Sequence, residues 1–273
     1  MDLRLDDVPY ERGSVTVNPP IARLDVLGIG ISAVDLAIAI GEIERWVRQG
    51  YRSYVTVTGV HGVMESVRNE EVRQAHNAAG LVLPDGMPLV WLLWQGGFRL
   101  ADRVCGPDFM LAVFDRFQQT GYRHFLYGGT PRTPELLKAN LMRKFPAARI
   151  VGTHAPPFRP AGASEDEAVI EAMNISGAEI IWVGLSTPKQ ELWMARHRDR
   201  LSTPALIGVG AALDFHAGLL RRAPRWLQRS GLEWTFRTAM DPRRLGIRYL
   251  RNNPAFLALL AAEKLRLRRP GRK

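Results

Sequence analysis

One carboxylate of this sequence stands where an enzyme would place a general base. Asp85 lies between Pro84 and Gly86, directly after a short apolar run that predicts a β-strand. A carboxylate in a loop at the rim of a sheet can reach a ligand, and its neighbours can tune its pKa for proton transfer. The alternative, that Asp85 caps a helix beginning near Met87, weighs equally when this position is considered alone.

A second polar segment, Ser186-Thr187-Pro188-Lys189-Gln190-Glu191, follows another apolar run. It puts hydroxyl groups, an amide and free backbone N–H groups at a predicted helix start, where the helix dipole favours negative charge. The segment therefore suits an anionic ligand rich in hydroxyl groups. The plainer interpretation is that Lys189 and Glu191 are ordinary surface residues of a first helical turn.

Glycine-containing turns end most of the other apolar runs. Because glycine has no side chain, it lets a ligand approach the backbone closely. Open parallel sheets bind ligands beyond the carboxyl ends of their strands, so these turns are candidate binding sites. They are Gly28-Ile29-Gly30, Thr58-Gly59-Val60, Gly128-Gly129-Thr130, the turn beginning at Gly184, and Gly208-Val209-Gly210, which leads to Asp214.

Several familiar cofactor and metal motifs are missing. Gly28-x-Gly30-x-x-Ala33 matches a dinucleotide fingerprint superficially. The next strand, however, ends in Thr58-Gly59-Val60 instead of the acid that would hold a ribose, so a plain tight turn is favoured. No P-loop sequence and no Asp-x-Asp pair occur, and the single Cys105 excludes an internal disulfide or a cysteine metal cluster. We expect no cofactor and no metal; arginines and backbone amides would have to neutralise a bound diphosphate.

Four aromatic or imidazole side chains receive structural interpretations. His61 and His216 lie near predicted strand ends, but isolated histidines are more often packed or hydrogen-bonded than catalytic. Trp91 and Trp94 fall on a strongly apolar helix, which predicts core positions for both.

The elements that must position these residues alternate along the chain. Apolar, β-branched runs predict strands at 24–31, 54–60, 81–83, 124–127, 149–153, 179–185 and 205–213. Helical periodicity predicts helices at 33–49, 107–119, 134–145, 164–174 and 188–201, the first of them capped by Ser32. This alternation predicts an α/β fold, with a mostly parallel, Rossmann-like sheet and helices on both faces.

Charge is divided unevenly along the chain. Residues 221–273 hold 15 of the 37 Lys and Arg residues and three of the 27 acidic ones, a net charge of +12, whereas residues 1–220 have a net charge of −2. A segment with this much positive charge is typical of a surface that binds anionic lipid, nucleic acid or an acidic substrate. It is also compatible with a solvated, Arg-rich helical face. An apolar patch at 256–262 beside a terminal Lys/Arg cluster favours an anionic membrane surface.

The sequence predicts three parts. Residues 1–20 are acidic without an apolar run, which is unlike a signal peptide, and we interpret them as a flexible extension. Residues 21–217 are predicted to form a catalytic α/β domain, and residues 218–273 a basic helical appendage that binds a membrane and caps the active site. No uncharged stretch is longer than residues 86–98, which are fewer than the ~20 residues that span a bilayer. The sequence predicts a cytoplasmic protein.

Six segments, in order between about residues 23 and 253, resemble the WecG/TagA/CpsF glycosyltransferase family. They are Leu83-Pro84-Asp85-Gly86, Arg103-Val-x-Gly106-Pro-Asp108, Tyr127-Gly128-Gly129, Gly184-x-x-x-Pro188-Lys189-Gln190-Glu191, Gly208-Val-Gly210-Ala-Ala-x-Asp214 and Arg222-Ala-Pro-x-Trp226. The resemblance implies an inverting, metal-independent transfer of a sugar from a UDP-sugar to a saccharide linked to polyprenyl pyrophosphate. It places the protein peripherally on the inner face of the cell membrane.

The resemblance also assigns roles to residues. It makes Asp85 the base that deprotonates the acceptor hydroxyl, with Thr58 and Gln190 beside the reacting centre. Arg103 would hold the donor or the acceptor, and Asp214 would contact the nucleoside. The other implied substrate-binding residues are Gly128, Gly129, Gly184, Lys189, Glu191 and Gly210, with Arg221, Arg222 and Arg225 supplying positive charge for the leaving diphosphate.

Some choices stay open at this point. Family members often have Thr-x-Asn where this chain has Thr58-Gly59-Val60, so a sugar contact from that asparagine is not expected. The donor sugar, the acceptor glycan and a homo-oligomeric state are open. A different class, a nucleic-acid-binding protein, would use the Arg-rich segment with Trp226, Trp234 and Tyr249 to meet phosphates and stack bases. An oxidoreductase using the Gly28 turn is weaker still.

Overall fold

The computed structural model describes residues 21–157 and 163–267. Six parallel strands form one sheet in the order β4-β3-β8-β7-β5-β6, and the first two strands form a separate antiparallel pair. The strands are β1 (Arg23–Val26), β2 (Ile29–Ser32), β3 (Ser53–Thr58), β4 (Leu81–Pro84), β5 (Arg123–Gly128), β6 (Arg149–His154), β7 (Ile180–Gly184) and β8 (Ala205–Gly208).

Helices connect the strands and continue beyond the last one. They are α1 (Leu36–Gln49), α2 (Val60–Arg68), α3 (Glu70–Asn77), α4 (Met87–Gln95), α5 (Gly106–Phe117), α6 (Thr133–Lys144), α7 (Ala163–Ile175), α8 (Lys189–His197), α9 (Ala212–His216), α10 (Arg225–Arg229), α11 (Glu233–Met240) and α12 (Ile247–Leu267). A 3₁₀ turn covers Arg198–Arg200, and a π-helical turn covers Pro242–Gly246.

Apolar cores lie on both faces of the sheet. Neighbouring residues of β7 point to opposite faces, so Trp182 packs with α1, α5, α6 and α9, whereas Val183 packs with α2, α4, α7 and α8. Strands buried on both sides read as continuous apolar runs, which is why the sequence revealed them. The predicted α/β fold with helices on both faces is confirmed.

The N-terminal hairpin differs from the prediction of a single strand at 24–31. Leu27 and Gly28 both have positive φ, 55° and 87°, and they turn the chain between β1 and β2. The plain-turn interpretation of Gly28 is therefore correct, and a dinucleotide site there is excluded because the turn joins antiparallel strands instead of a strand and a helix. The predicted cap was wrong as well, since Asp35 accepts a hydrogen bond from Ile38 N while Ser32 Oγ accepts one from Val82 N.

Two further boundaries differ from the prediction. The strand predicted at 205–213 ends at Gly208, because Gly210 turns the chain with a φ of 53° and Ala212 begins α9. The polar segment after β7 begins its helix at Lys189, following a cis peptide between Thr187 and Pro188.

The C-terminal segment, defined as residues 218–267, follows the sheet and packs back onto it. Phe256 of α12 is buried in the core that contains α2 and α4. Asn252 is also buried, and its side chain meets Arg68 Nη2 at 2.7 Å and His61 Nδ1 at 3.0 Å. Among the described residues, no helix is sufficiently long and apolar to cross a bilayer. The predicted extension at 1–20 and the terminal basic residues 268–273 lie outside the described residues.

Candidate active site

A cavity of 930 Å³ lies at the carboxyl ends of β3, β4 and β8. Gly59, Asp85 and Gly210 line the cavity at the strand ends, and apolar side chains of α4 and α12 form its walls. Register explains why these residues meet, because Thr58 pairs with Pro84 and Thr56 pairs with Gly208. The sequence turns at three strand ends therefore converge on one space.

Asp85 lines this cavity, and its backbone N–H donates to Thr58 O at 2.9 Å. Its carboxylate oxygen is 3.8 Å from Arg103 Nη2. Gly86, not Asp85, occupies the N-cap position of α4, so the helix-cap alternative is wrong. Burial raises the pKa of Asp85 above its ordinary value, and the nearby Arg103 offsets only part of that effect. A carboxylate with a raised pKa at a cavity wall suits proton acceptance.

Arg103 joins this carboxylate to the C-terminal segment. Its Nε donates to Asp85 O at 2.5 Å, its Nη1 to Gln228 O at 3.1 Å, and its Nη2 to Glu233 Oε2 at 2.5 Å. Burial works to lower the pKa of Arg103, but the nearby acids raise it above its ordinary value. The guanidinium is therefore a fixed positive charge that connects both parts of the chain at the cavity.

A second ion pair crosses between the same two parts. Arg222 donates to both carboxylate oxygens of Asp108, at 2.5 and 3.1 Å, and to Gln228 Oε1 at 2.9 Å. Burial works to raise the pKa of Asp108, but the hydrogen bonds from Arg222 and Cys105 lower it to about 2. Burial raises the pKa of the Cys105 thiol to about 12. Arg222 thus holds the segment against α5 beside the cavity.

Gln190 is held from two sides at the cavity wall. Its Oε1 accepts from Gly210 N at 2.9 Å, and its Nε2 donates to Glu191 Oε1 at 3.1 Å. Thr187 Oγ1 donates to the same carboxylate oxygen at 2.9 Å. Glu191 is completely buried, so its interpretation as a surface residue was wrong. Lys189 is exposed at the first position of α8, outside the described cavity lining.

The remaining predicted glycines meet beside Gly210, at the ends of β5 and β7. A Cβ on Gly128 would lie 2.5 Å from Gly184 O, and Gly129 N donates to that oxygen at 3.0 Å. Asp214 Oδ1 accepts from Thr133 Oγ1 at 2.7 Å, and Thr133 also contacts Thr130. A Cβ on Gly184 would lie 3.1 Å from the backbone oxygen of Gly210, so this glycine cluster adjoins the cavity wall that Gly210 forms.

Three further predicted site residues are not among the described lining of the cavity. The Thr58 hydroxyl is buried within β3 and donates to Thr56 Oγ1 at 3.3 Å, so Thr58 meets Asp85 through its backbone. Arg221 is exposed just before α10. Arg225 begins α10, and its side chain lies outside the part of the chain that the structure describes.

Sequence reasoning missed three residues that line the cavity. Trp91 is 44% exposed at the cavity, so its core assignment was wrong. Trp94 is only partly buried, and its Nε1 donates to Ala101 O. His61 also lines the cavity, and burial lowers its pKa to about 4. Glu233 accepts a hydrogen bond from Arg103. The sequence feature that could have indicated Glu233 is that it is one of only three acids in the strongly basic residues 221–273.

The fold and the cavity together define a class. An open α/β sheet carries at its strand ends a carboxylate with a raised pKa, a paired arginine and tightly packed glycine turns, as a group-transfer enzyme with a carboxylate base requires. The chain belongs to the glycosyl transferase WecG/TagA/CpsF family, whose model matches residues 24–270. The resemblance drawn from six sequence segments is confirmed, and the protein is a glycosyltransferase.

Relatives with known activities cover nearly the whole chain. Two similar proteins, from Staphylococcus aureus strains MW2 and NCTC 8325 / PS 47, are each an N-acetylglucosaminyldiphosphoundecaprenol N-acetyl-beta-D-mannosaminyltransferase. Each is 24% identical over 250 residues, which is 91% of this chain and 96% of the relative. Those proteins transfer an N-acetylmannosaminyl group to a sugar carried on undecaprenyl diphosphate.

Proposed function

We propose that this protein is an inverting glycosyltransferase that moves a sugar from a UDP-sugar to a saccharide linked to a polyprenyl diphosphate. One observation carries the proposal: Asp85, whose pKa burial raises, lines a cavity beside Arg103. Membership of the family and the lipid-linked acceptor named for the relatives support the same substrates.

The proposed reaction is a single displacement. The acceptor hydroxyl oxygen attacks the anomeric carbon, Asp85 accepts the hydroxyl proton, and the electron pair of the broken bond leaves with the UDP oxygen. Attack opposite to the leaving group inverts the anomeric configuration. This chemistry needs one base and a stabilised leaving diphosphate.

The donor nucleotide is proposed to lie at the ends of β5 and β7. The chain leaves β5 towards β6 and leaves β7 towards β8, which are opposite directions in the sheet. Ligands of open α/β sheets bind at such a crevice. Gly128, Gly129 and Gly184 keep the crevice free of side chains, and Asp214, at the start of α9, is proposed to contact the nucleoside.

Positive charge for the leaving diphosphate is proposed to come from the C-terminal segment. Arg237 and Arg248 line the cavity, and the guanidinium of Arg237 lies 5.9 Å from the centre of the Phe215 ring. Arg221, Arg222 and Arg225 stay candidates for this role. Arg222 is paired with Asp108 in this structure, so it would have to exchange that partner to meet a phosphate.

The C-terminal segment is also proposed to bind an anionic membrane on the cytoplasmic side while it caps the cavity. Its exposed surface combines large apolar side chains, such as Ile247 and Leu250 at 70% and 75% exposure, with arginines such as Arg251. This mixture suits the interface of anionic lipids. It would bring the cavity to an acceptor that is held in the bilayer.

The test is transfer from a panel of UDP-sugars to a saccharide-diphosphate acceptor with a short lipid, with the anomeric configuration of the product read by NMR. We expect transfer from one or a few donors with inversion. Retention of configuration, or stabilisation by DNA or RNA with no transfer from any UDP-sugar, would overturn the proposal.

A further inference from the structure

We infer that the cavity continues into an apolar groove between α4 and α12 that binds the first isoprene units of the acceptor's lipid. This inference rests on the proposed function and adds a binding site to it. The groove is defined by one face of each helix. Its lining residues are Trp91, Leu92 and Gln95 of α4 and Phe256, Leu257, Leu260, Ala261 and Lys264 of α12.

Both helices start at the reacting end of the cavity. Met87 begins α4 two residues after Asp85. On the other side, the Tyr249 ring of α12 lies 5.8 Å from the Trp234 ring, next to the Glu233 that holds Arg103. A ligand whose reacting group meets Asp85 therefore has the groove as its continuation.

The far end of the groove is closed by a polar contact. Lys264 Nζ donates to Gln95 Oε1 at 3.1 Å, which joins the last turn of α4 to α12. Gln95 lies eight positions after Met87 in α4, a rise of about 12 Å. The groove is therefore long enough for a few isoprene units but not for a complete polyprenyl chain, whose remainder would stay in the membrane.

The groove has an apolar floor and open apolar sides. Leu92 and Leu260 pack against the core, and Phe256 is 3% exposed. Trp91 and Leu257 remain 44% and 66% exposed at the sides, so their apolar area is available to a ligand. Covering such area with hydrocarbon is favourable by about 25 cal/mol per Å².

Charge selects the kind of apolar ligand. The described side chains of the cavity lining that carry a charge at pH 7 are Asp85, Glu233, Arg103, Arg237, Arg248 and Lys264, and His61 is neutral there because burial lowers its pKa to about 4. Four cations against two carboxylates leave a positive excess beside an apolar groove. An anionic diphosphate followed by a hydrocarbon chain complements both features, whereas a free sugar nucleotide would leave the groove empty.

The experiment varies the lipid while the saccharide diphosphate stays constant. Acceptors carrying a short alkyl group, one isoprene unit or a few units are compared below their micelle concentrations and without membranes. For the wild-type protein we expect KM to fall at least about tenfold from the alkyl acceptor to the longest one. Leu257→Gln should lose most of that gain.

Leu265→Gln is the matched control, since Leu265 lies on the same helix with 65% exposure but outside the described lining. It should keep the full dependence on chain length. Equal KM values for all chain lengths in the wild type, or the same loss of chain-length dependence in both variants, would contradict lipid binding in the groove without contradicting sugar transfer. Absence of transfer to every acceptor would instead remove the proposed function, and the groove with it.

Discussion

The α/β body, residues 21–217, and the C-terminal segment contribute to the cavity in different ways. In the body, Asp85 and Gly210 are placed by backbone register at strand ends that are fixed by two apolar cores. In the segment, Glu233 is placed by its side-chain contact with Arg103 of the body. The difference indicates that the body fixes the position of the proposed base, while the segment lines the same cavity through contacts that can separate.

Burial supports this division. Within α11, all of whose residues the structure describes, none is buried. Few described side chains of the segment are buried: they are Ala223, Leu245, Asn252 and Phe256, of which Asn252 and Phe256 meet α2 and its neighbours. Regions with few buried contacts open at low free-energy cost, so the segment is the part that should move when a large lipid-linked substrate enters.

The largest effect is expected from removing the base in the body. Asp85→Asn should lower kcat about a thousandfold, because the amide cannot accept the hydroxyl proton, while UDP affinity and thermal stability stay close to wild type. Wild-type activity should fall with decreasing pH as Asp85 becomes protonated, with a midpoint above the ordinary carboxylate pKa because burial raises it. Near-wild-type turnover in the variant would remove Asp85 from the mechanism.

The rigidity of the body can be tested at its packed glycines. Gly128→Ala should destabilise the protein by about 3 kcal/mol, with Tm lower by about 10 °C. The reason is that Gly128 has a φ of 121° and its Cβ would lie 2.5 Å from Gly184 O. Gly59→Ala is the matched control at another strand end. There the backbone φ is −113°, and an added Cβ would have no neighbouring atom within 4 Å. Equal thermal shifts in the two variants would contradict this account.

Attachment of the segment should weaken in acid through His61. Burial lowers its pKa from 6.5 to about 4, with a smaller effect from Arg248. With the segment attached, His61 therefore binds a proton less readily than in the unfolded state. The free energy of attachment is greatest above pH 6.5 and decreases as the pH falls towards 4. At pH 5 the loss is about 2 kcal/mol at most.

Hydrogen exchange of the α12 amides, corrected for intrinsic rates, measures this loss. His61→Asn should remove the extra opening between pH 7 and 5. His216→Asn should keep it, since His216 bonds to Pro107 O of the body and not to the segment. If His61→Asn showed the same increase in opening between pH 7 and 5 as the wild type, His61 would not be the cause of the weaker attachment in acid.

The smallest effect is expected from single surface charges of the segment. Arg243→Gln, at an exposed position of the π-helical turn, should weaken binding to anionic liposomes about fivefold at low salt. Arg149→Gln is the control, because Arg149 is also exposed but begins β6 at the opposite end of the sheet. Equal weakening in both variants would argue against a membrane surface on the segment.

The body was largely predictable from its sequence because its signals are local. Buried parallel strands read as apolar runs, and turn residues mark their ends, so Asp85, Gln190 and Gly210 were sought where they occur. The errors arose where two local patterns overlap. The run at 24–31 contains a two-residue turn, and Trp91 sits on an apolar helix but faces the cavity.

The segment was predictable only in its net charge and helical character. Contacts such as Glu233 with Arg103, or Asn252 with His61, join residues 130 and 191 positions apart. No spacing rule within one sequence connects such residues, because tertiary packing decides which side chains meet. The burial of Glu191 has the same origin, since a first-turn position alone does not reveal which face of α8 meets the sheet.

The most direct test of a site built from both regions is a double-mutant cycle between Arg103 and Glu233, with kcat/KM measured for wild type, Arg103→Gln, Glu233→Gln and the double variant. We expect a coupling of about 2 kcal/mol, about thirtyfold in kcat/KM. A control cycle between Arg103 and Glu263, an acid of α12 outside the described lining, should show no coupling. Additive effects of Arg103→Gln and Glu233→Gln would contradict the claim that the C-terminal segment completes the active site.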